Sequence, residues 1–350
     1  MAMWRLRRRG NGGGTAVARR PGDYDGTTTE LHDEIERVTA ANREHPDRAA
    51  ERRLLQLRNV GGVRALDEAV DGVDFAAPDR GALPAAGGAL PEFTCTELTP
   101  ALLRAAILRD GCLLVRGLIE REPALRFAEL IDRAFAERER REVGESAAEG
   151  YYEEFQPVPP FPEITGRSWI KEGGGLLAVD APMVAFEMFE LFGAAGLPRL
   201  VDGYLGESGV ISADKTTLRK AEPSVPGAWH QDGAFMGPVR SLNLWLALSR
   251  CGDVAPGLDI VPRRLDHLVA TQTDDALLDM QVSQAKAEEA AGDTPIVRPM
   301  FEPGDALFFY EMFLHQTASD PSMPNARFAI ESWFFGSSSF PHEYAPVAAW

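Results

Sequence analysis

The chain has 350 residues, 45% of them hydrophobic and 25% charged, which fits a globular protein and excludes wholesale disorder and collagen-like repeats. Its 36 basic and 53 acidic side chains give a formal net charge of −17, a surface that repels phosphate backbones and argues against a nucleic-acid partner. Three cysteines, Cys95, Cys112 and Cys251, do not make a disulfide scaffold, and no apolar run is long enough to span a bilayer, so a cytoplasmic protein with no membrane partner is expected.

The first twenty residues hold six arginines and no acid, leaving about −23 for the rest. No apolar stretch follows them, so they do not read as a secretory signal. With Gly10-Asn-Gly-Gly-Gly14 they read as a flexible basic tail. Residues 28–57 are charged and helix-prone, with Thr28 or Thr29 as a cap for the run holding Leu31, Ile35 and Val38. Glycines and prolines over residues 80–92 suggest a linker. Residues 1–91 are thus expected to be an N-terminal extension and 92–350 the functional domain.

Within that domain, Cys112–Arg116 has the pattern of a buried strand. Helices are expected over Glu122–Arg140 and Ala181–Ala195. Strands are expected at Val210–Leu218, Ser241–Leu248, Leu258–Val261, Ala306–Tyr310 and Phe328–Phe335, interrupted by one helix near Asp274–Ala291. Alternation along Ser241–Leu248 sends its leucines to one face and Asn243, Trp245 and Ala247 to the other. Helices first and strands later imply an α+β fold around a closed or sandwiched antiparallel sheet.

Three of the six histidines, His32, His45 and His230, begin a His-x-acid triplet where chance alone gives about one, so context must separate them. His32 lies in a helical stretch, where residues two apart diverge. His230 lies in an extended segment between glycines, where His230 and Asp232 project to the same side and can grip one ion. His315, 85 residues further on and just past an apolar strand, is the best third ligand. Two His and one carboxylate leave positions of an octahedral Fe(II) open for a chelating cosubstrate and O₂. Arg327 begins a strand twelve residues later, and its planar fork suits a carboxylate, whether a cosubstrate's or a structural partner's.

Four segments, Trp229-His-Gln-Asp-Gly233, Leu242-Asn-Leu-Trp-Leu-Ala-Leu248, Pro303-Gly-Asp-Ala-Leu-Phe-Phe309 and His315 through Arg327, resemble the phytanoyl-CoA dioxygenase family. So does Gly111–Gly117 with the helix after it, and the similarity spans roughly residues 92–336. The resemblance implies a double-stranded β-helix (a jelly-roll, cupin-like core with flanking helices) and an Fe(II)- and 2-oxoglutarate-dependent oxygenase. By it, His230, Asp232 and His315 would bind iron, Arg327 would hold the far carboxylate of 2-oxoglutarate, and Asn243 and Arg219 would border the cosubstrate. Asp232 would favour hydroxylation over halogenation, since related halogenases leave that position to chloride. Where the family often carries Pro-Gly-Ser-His, this chain reads Val261-Pro-Arg-Arg-Leu-Asp-His267, and His267 reads as a surface residue.

The expected reaction is hydroxylation of an aliphatic C–H bond in a small-molecule metabolite, releasing succinate and CO₂. Trp229, Phe235 and Trp169 are candidate substrate contacts. Aromatics between Tyr151 and Trp169 can form a lid or simply cover the barrel end, and Arg167 and Lys171 can meet an acidic substrate or make structural pairs. Two other readings stay open. A zinc hydrolase can use the same three ligands with water in the fourth position. A non-catalytic jelly-roll binding module is the other.

Overall fold

The computed structural model describes residues 24–70, 90–225, 227–237, 239–273, 281–341 and 343–350. The basic tail, most of the expected linker and the start of the expected 274–291 helix lie outside them. In chain order the elements are α1 (Thr28–Glu44), α2 (Arg48–Asp67), β1 (Glu92–Thr94), α3 (Pro100–Asp110), β2 (Cys112–Arg116), α4 (Arg121–Glu142), α5 (Arg167–Glu172), β3 (Gly175–Leu177), α6 (Pro182–Ala194) and α7 (Leu197–Leu205). There follow β4 (Gly209–Ala221), α8 (Gly233–Met236), β5 (Ser241–Ala247), β6 (Gly257–Ile260), α9 (Gln284–Ala291), β7 (Ala306–Phe309), β8 (His315–Ala318), β9 (Arg327–Gly336) and β10 (Pro346–Ala348).

Local chemistry explains most boundaries. The cap of α1 is Thr27, one residue before the expected threonines: its hydroxyl accepts from Glu30 N while the Glu30 carboxylate accepts from Thr27 N at 2.7 Å. The 28–57 stretch divides into two helices because Pro46 follows the extended His45, and Asp47 then caps α2. Gly111, at φ 80°, ends α3 in the left-handed conformation and turns the chain into β2. Ser283 caps α9, so that helix starts at Gln284 and is shorter than its sequence pattern suggests.

Two sheets form a double-stranded β-helix. The larger runs β1-β2-β7-β5-β9-β4-β10, with β3 also on β4, and among the described residues only its β1–β2 pair is parallel. The smaller pairs β6 with β8, extended by bridges from His230 to His315 and from Ile260 to Val297. Every residue of β5 is buried, because α7 packs on one side of it and the barrel interior lies on the other. Helices α3, α4 and α7 cover the outer face through Leu103, Phe127, Ile131 and Leu200. No helix among the described residues is long and apolar enough to cross a membrane.

The N-terminal helices are tied to the last strand. Asn59 of α2 donates to Pro346 O at 2.6 Å, and the Arg58 guanidinium donates to Ala348 O at 3.2 Å. Gly62 faces the same strand so closely that a Cβ there would sit 2.7 Å from the Pro346 carbonyl carbon. On the other side of β10, the β4–β9 ladder breaks between Ile211 and Thr216. The bulged stretch bonds the C-terminal segment instead: Ala213 N donates to Ala345 O, and Ala345 N to the Asp214 carboxylate at 2.8 Å.

Candidate metal centre and cavity

The backbone brings the two distant histidines together. His230 N donates to His315 O at 3.0 Å and His315 N to His230 O at 3.2 Å. This is a hydrogen-bonded antiparallel pair, whose side chains project to one face. The rings lie 4.4 Å apart, centroid to centroid. Asp232, two residues on, returns to that side: its Oδ2 is 3.9 Å from His315 Nε2. Ligand atoms of His230, Asp232 and His315 all lie within 4.8 Å of one another.

Each imidazole is oriented by its own chain. Nδ1 of His230 lies 2.8 Å from Ala228 O, and Nδ1 of His315 lies 3.0 Å from Phe313 O. A carbonyl only accepts, so Nδ1 carries the hydrogen and Nε2 presents a lone pair, the form a metal requires. Burial pushes His315 down to about 4, with His230 beside it adding to the effect, so it is neutral at pH 7. Asp232 Oδ2 is buried and has no hydrogen-bond partner.

The wall behind this trio comes from the large sheet. Register places Asn243 opposite both Phe309 and Trp333, then Trp245 opposite Glu331, and Arg219 opposite Ala329, all on one face. The Phe309 ring sits 4.8 Å from that of His315, so this face looks onto the trio. Arg327 starts the same row on β9. It is 1% exposed, stands over the Trp245 ring at 5.2 Å and donates to Gly257 O at 3.0 Å. It forms no salt bridge among the described residues, and burial lowers its pKa to about 10, leaving a buried cation at neutral pH.

Ten buried side-chain polar atoms lack a hydrogen-bond partner among the described residues. Six belong to this wall and trio: Asp232 Oδ2, both amide atoms of Asn243, Nε of Arg219, Nε of Arg327 and Nε1 of Trp333. Each such group costs about 1–3 kcal/mol if left unsatisfied, so their concentration in one place points to a polar occupant. One carboxylate oxygen with no partner beside two imidazole lone pairs suits a cation. Donors with no acceptor beside a buried arginine suit a carboxylate.

A cavity of ≈ 400 Å³ opens outward from His230 and Asp232. Of the candidate residues, Phe235, Trp169 and Arg219 line it. Trp229 does not. It packs with Val261, Leu265 and Leu314 on the far side, and its Nε1 donates to Gln284 at 2.8 Å. Alternation explains this: neighbours of His230 must point the other way. Gln231 does so too, and the sequence reading passed over it. Its amide accepts from Val269 N at 2.7 Å and donates to Met312 O at 2.7 Å and His267 O at 3.1 Å, clamping two loops behind the ligands.

The other expected contacts resolve as follows. Trp169, on α5, is 50% exposed at the cavity mouth. Phe155 is buried with Ile164, Leu177 and Val179, and Phe161 packs on that cluster, so these two aromatics belong to a core beside β4 and β10 and do not line the cavity. Arg167 makes a bidentate pair with Asp180, both bonds 2.8 Å, which pins the loop before α5. Lys171 meets Glu142 at 2.6 Å on the surface. His267 is exposed beside Asp266. Lys215, Thr217 and Glu331 also line the cavity, without having been anticipated.

No protein-family model matches this chain, and no curated protein matches it in sequence. Solved structures do. EctD from S. alaskensis, crystallised with 2-oxoglutarate and 5-hydroxyectoine, is 17% identical with a TM-score of 0.50, over 69% of this chain and 78% of that one. The same protein with bound Fe gives 17% and 0.50, over 69% and 79%. SnoK, a non-heme alpha-ketoglutarate-dependent carbocyclase from nogalamycin biosynthesis, is 12% identical with a TM-score of 0.46, over 69% and 86%. The match to EctD establishes a shared fold.

Proposed function

We propose that this chain is an Fe(II)- and 2-oxoglutarate-dependent oxygenase that hydroxylates an aliphatic C–H bond of a small-molecule metabolite. The observation that carries the reading is the pairing of a His230–Asp232–His315 ligand set with a wall holding a buried arginine that has no carboxylate partner. In this reading His230, Asp232 and His315 hold the metal on one face. Arg327 orients the far carboxylate of the cosubstrate, while Asn243 and Arg219 present polar edges to it. The hydrophobic flanks, Phe309 and Phe313 against His315, keep water from the inner side of the centre. Iron with 2-oxoglutarate and O₂ supplies the oxidative chemistry, releasing succinate and CO₂ as one oxygen atom enters the substrate. Asp232 fills the third protein position, which supports hydroxylation over halogenation.

The four motif segments support placement in the phytanoyl-CoA dioxygenase family within these oxygenases. Three free thiols fit a reducing compartment such as the cytoplasm. The test is anaerobic titration of metal-free protein with Fe(II) and 2-oxoglutarate, reading the visible metal-to-ligand charge-transfer band. The band is expected in the wild type, absent in His315→Ala and weakened in Arg327→Ala, with circular dichroism confirming that both variants are folded. No band in folded, iron-replete protein overturns the reading and favours the zinc hydrolase or the binding module.

A further inference from the structure

The cavity holds one cation that the iron and cosubstrate reading does not use. Lys215 lines it together with His230, Asp232 and Phe235. The β4 bulge places it there. Between Ile211 and Thr216 the strand leaves β9, and Asp214 turns its carboxylate to Ala345 N. Lys215 then extends over two aromatic rings, 4.4 Å from the centroid of Phe235 and 5.7 Å from that of Tyr344. Tyr344 is fixed in turn, its hydroxyl donating to Phe235 O at 3.3 Å.

Acids outnumber bases in this protein by 53 to 36, so cations normally find carboxylates. Arg167, Lys171 and Lys220 each do, and Arg219 lies 3.6 Å from Glu331. Lys215 forms neither a salt bridge nor a hydrogen bond among the described residues. The rings attract its charge and fix its position, yet they accept no N–H bond of the strength a carboxylate offers. Three ammonium donors are therefore held inside a partly aromatic cavity, next to the ligand pair.

We propose that Lys215 is the docking point for a carboxylate on the substrate, and that the substrate is an aromatic or otherwise planar organic acid whose apolar body lies between Phe235 and Trp169. This names the substrate class of the proposed oxygenase and rests on that reading. Lys215, Phe235, Trp169, His230 and Asp232 line one cavity, so a molecule held at Lys215 shares that space with the proposed metal ligands. Arg327 lies behind the trio on the inner wall, so the two carboxylate positions are separate.

The experiment uses the full chain, metal-free and loaded anaerobically with Fe(II) and 2-oxoglutarate. Calorimetric titration compares phenylacetate, 3-phenylpropionate, cinnamate and indole-3-acetate with their primary amides. In loaded protein 2-oxoglutarate occupies Arg327, so acid preference reads the outer cavity. At least one acid is expected to bind about ten-fold tighter than its amide, the preference falling to about two-fold or less in Lys215→Met and persisting in Lys215→Arg. Thermal melting of Lys215→Met checks that the fold is intact. The inference is overturned if no acid outbinds its amide, or if the preference survives in Lys215→Met. Failure of the oxygenase reading shows separately, as a missing charge-transfer band. In that case the same comparison in metal-free protein still decides for or against Lys215.

Discussion

His315 carries a pH dependence whose sign follows from its burial. Its folded pKa of about 4 lies below the ordinary 6.5, so the fold favours the neutral ring. Between those values the unfolded chain takes up a proton that the folded chain does not, and stability is lost as pH falls. The contribution is complete above pH 6.5 and gone near pH 4. From pH 7 to pH 5 the loss is about 2 kcal/mol. Urea titrations of metal-free protein at the two pH values should show it in the wild type, and His315→Leu, which cannot titrate, should lose that increment. Gln231 acts at the same scale from behind the candidate site. Its three bonds close the loops behind the ligands, so Gln231→Met, which keeps the volume but not the bonds, should cost about 2–4 kcal/mol in urea unfolding. The candidate trio was legible as a possible metal site because extended spacing and chemistry coincide at His230 and Asp232. Trp229 is next to His230 in sequence, yet the same alternation sends it away from the cavity, so adjacency in sequence does not tell which side a residue faces.

At the scale of elements, the strands that build the barrel were legible because each is an apolar run ended by glycine or a polar turn. Cys112–Arg116 appears with the expected limits, and β5, β7 and β9 lie within a residue or two of theirs. The devices that shape the site were not legible. The β4 bulge depends on which strand takes over its hydrogen bonds, and that partner, β10, lies more than a hundred residues away and only three residues long. Nor does the sequence of α2 announce that Gly62 exists for close approach. The structure makes this testable. Gly62→Ala places a methyl against the Pro346–Val347 backbone, which cannot yield as a flexible side chain would. The expected outcome is a loss of about 1–3 kcal/mol in thermal or urea unfolding. Faster amide exchange should appear at Ala213 and Ala345, the residues through which β10 supports the bulge.

Across the whole molecule, one arrangement links the ends of the described chain to its centre. Helices α1 and α2 pack on α6 and β10, β10 supports the β4 bulge, and the bulge leads to the cavity. The centre itself is under-satisfied, with unpartnered polar atoms of Asp232, Asn243, Arg219, Arg327 and Trp333 gathered in a buried space. A fold that accepts this cost without its ligands gains when they bind, because a ligand that binds only the native state stabilises it by mass action. At a free concentration one hundred times the dissociation constant the gain is about 2.7 kcal/mol. Per-residue unfolding entropies for a chain of 350 residues convert this to a rise of about 4 °C in Tm. Fe(II) and 2-oxoglutarate added together under argon should produce such a rise, scaling with the logarithm of their concentration and reversed by EDTA. The loaded protein should keep the acid sensitivity carried by His315 and extend it below pH 4, since a metal holding Nε2 would exclude the proton from the folded ring while the unfolded chain still takes one up. A Tm that ignores both additions in folded protein would mean that the unpartnered groups have another occupant, and that the carboxylate expected at Arg327 is not 2-oxoglutarate.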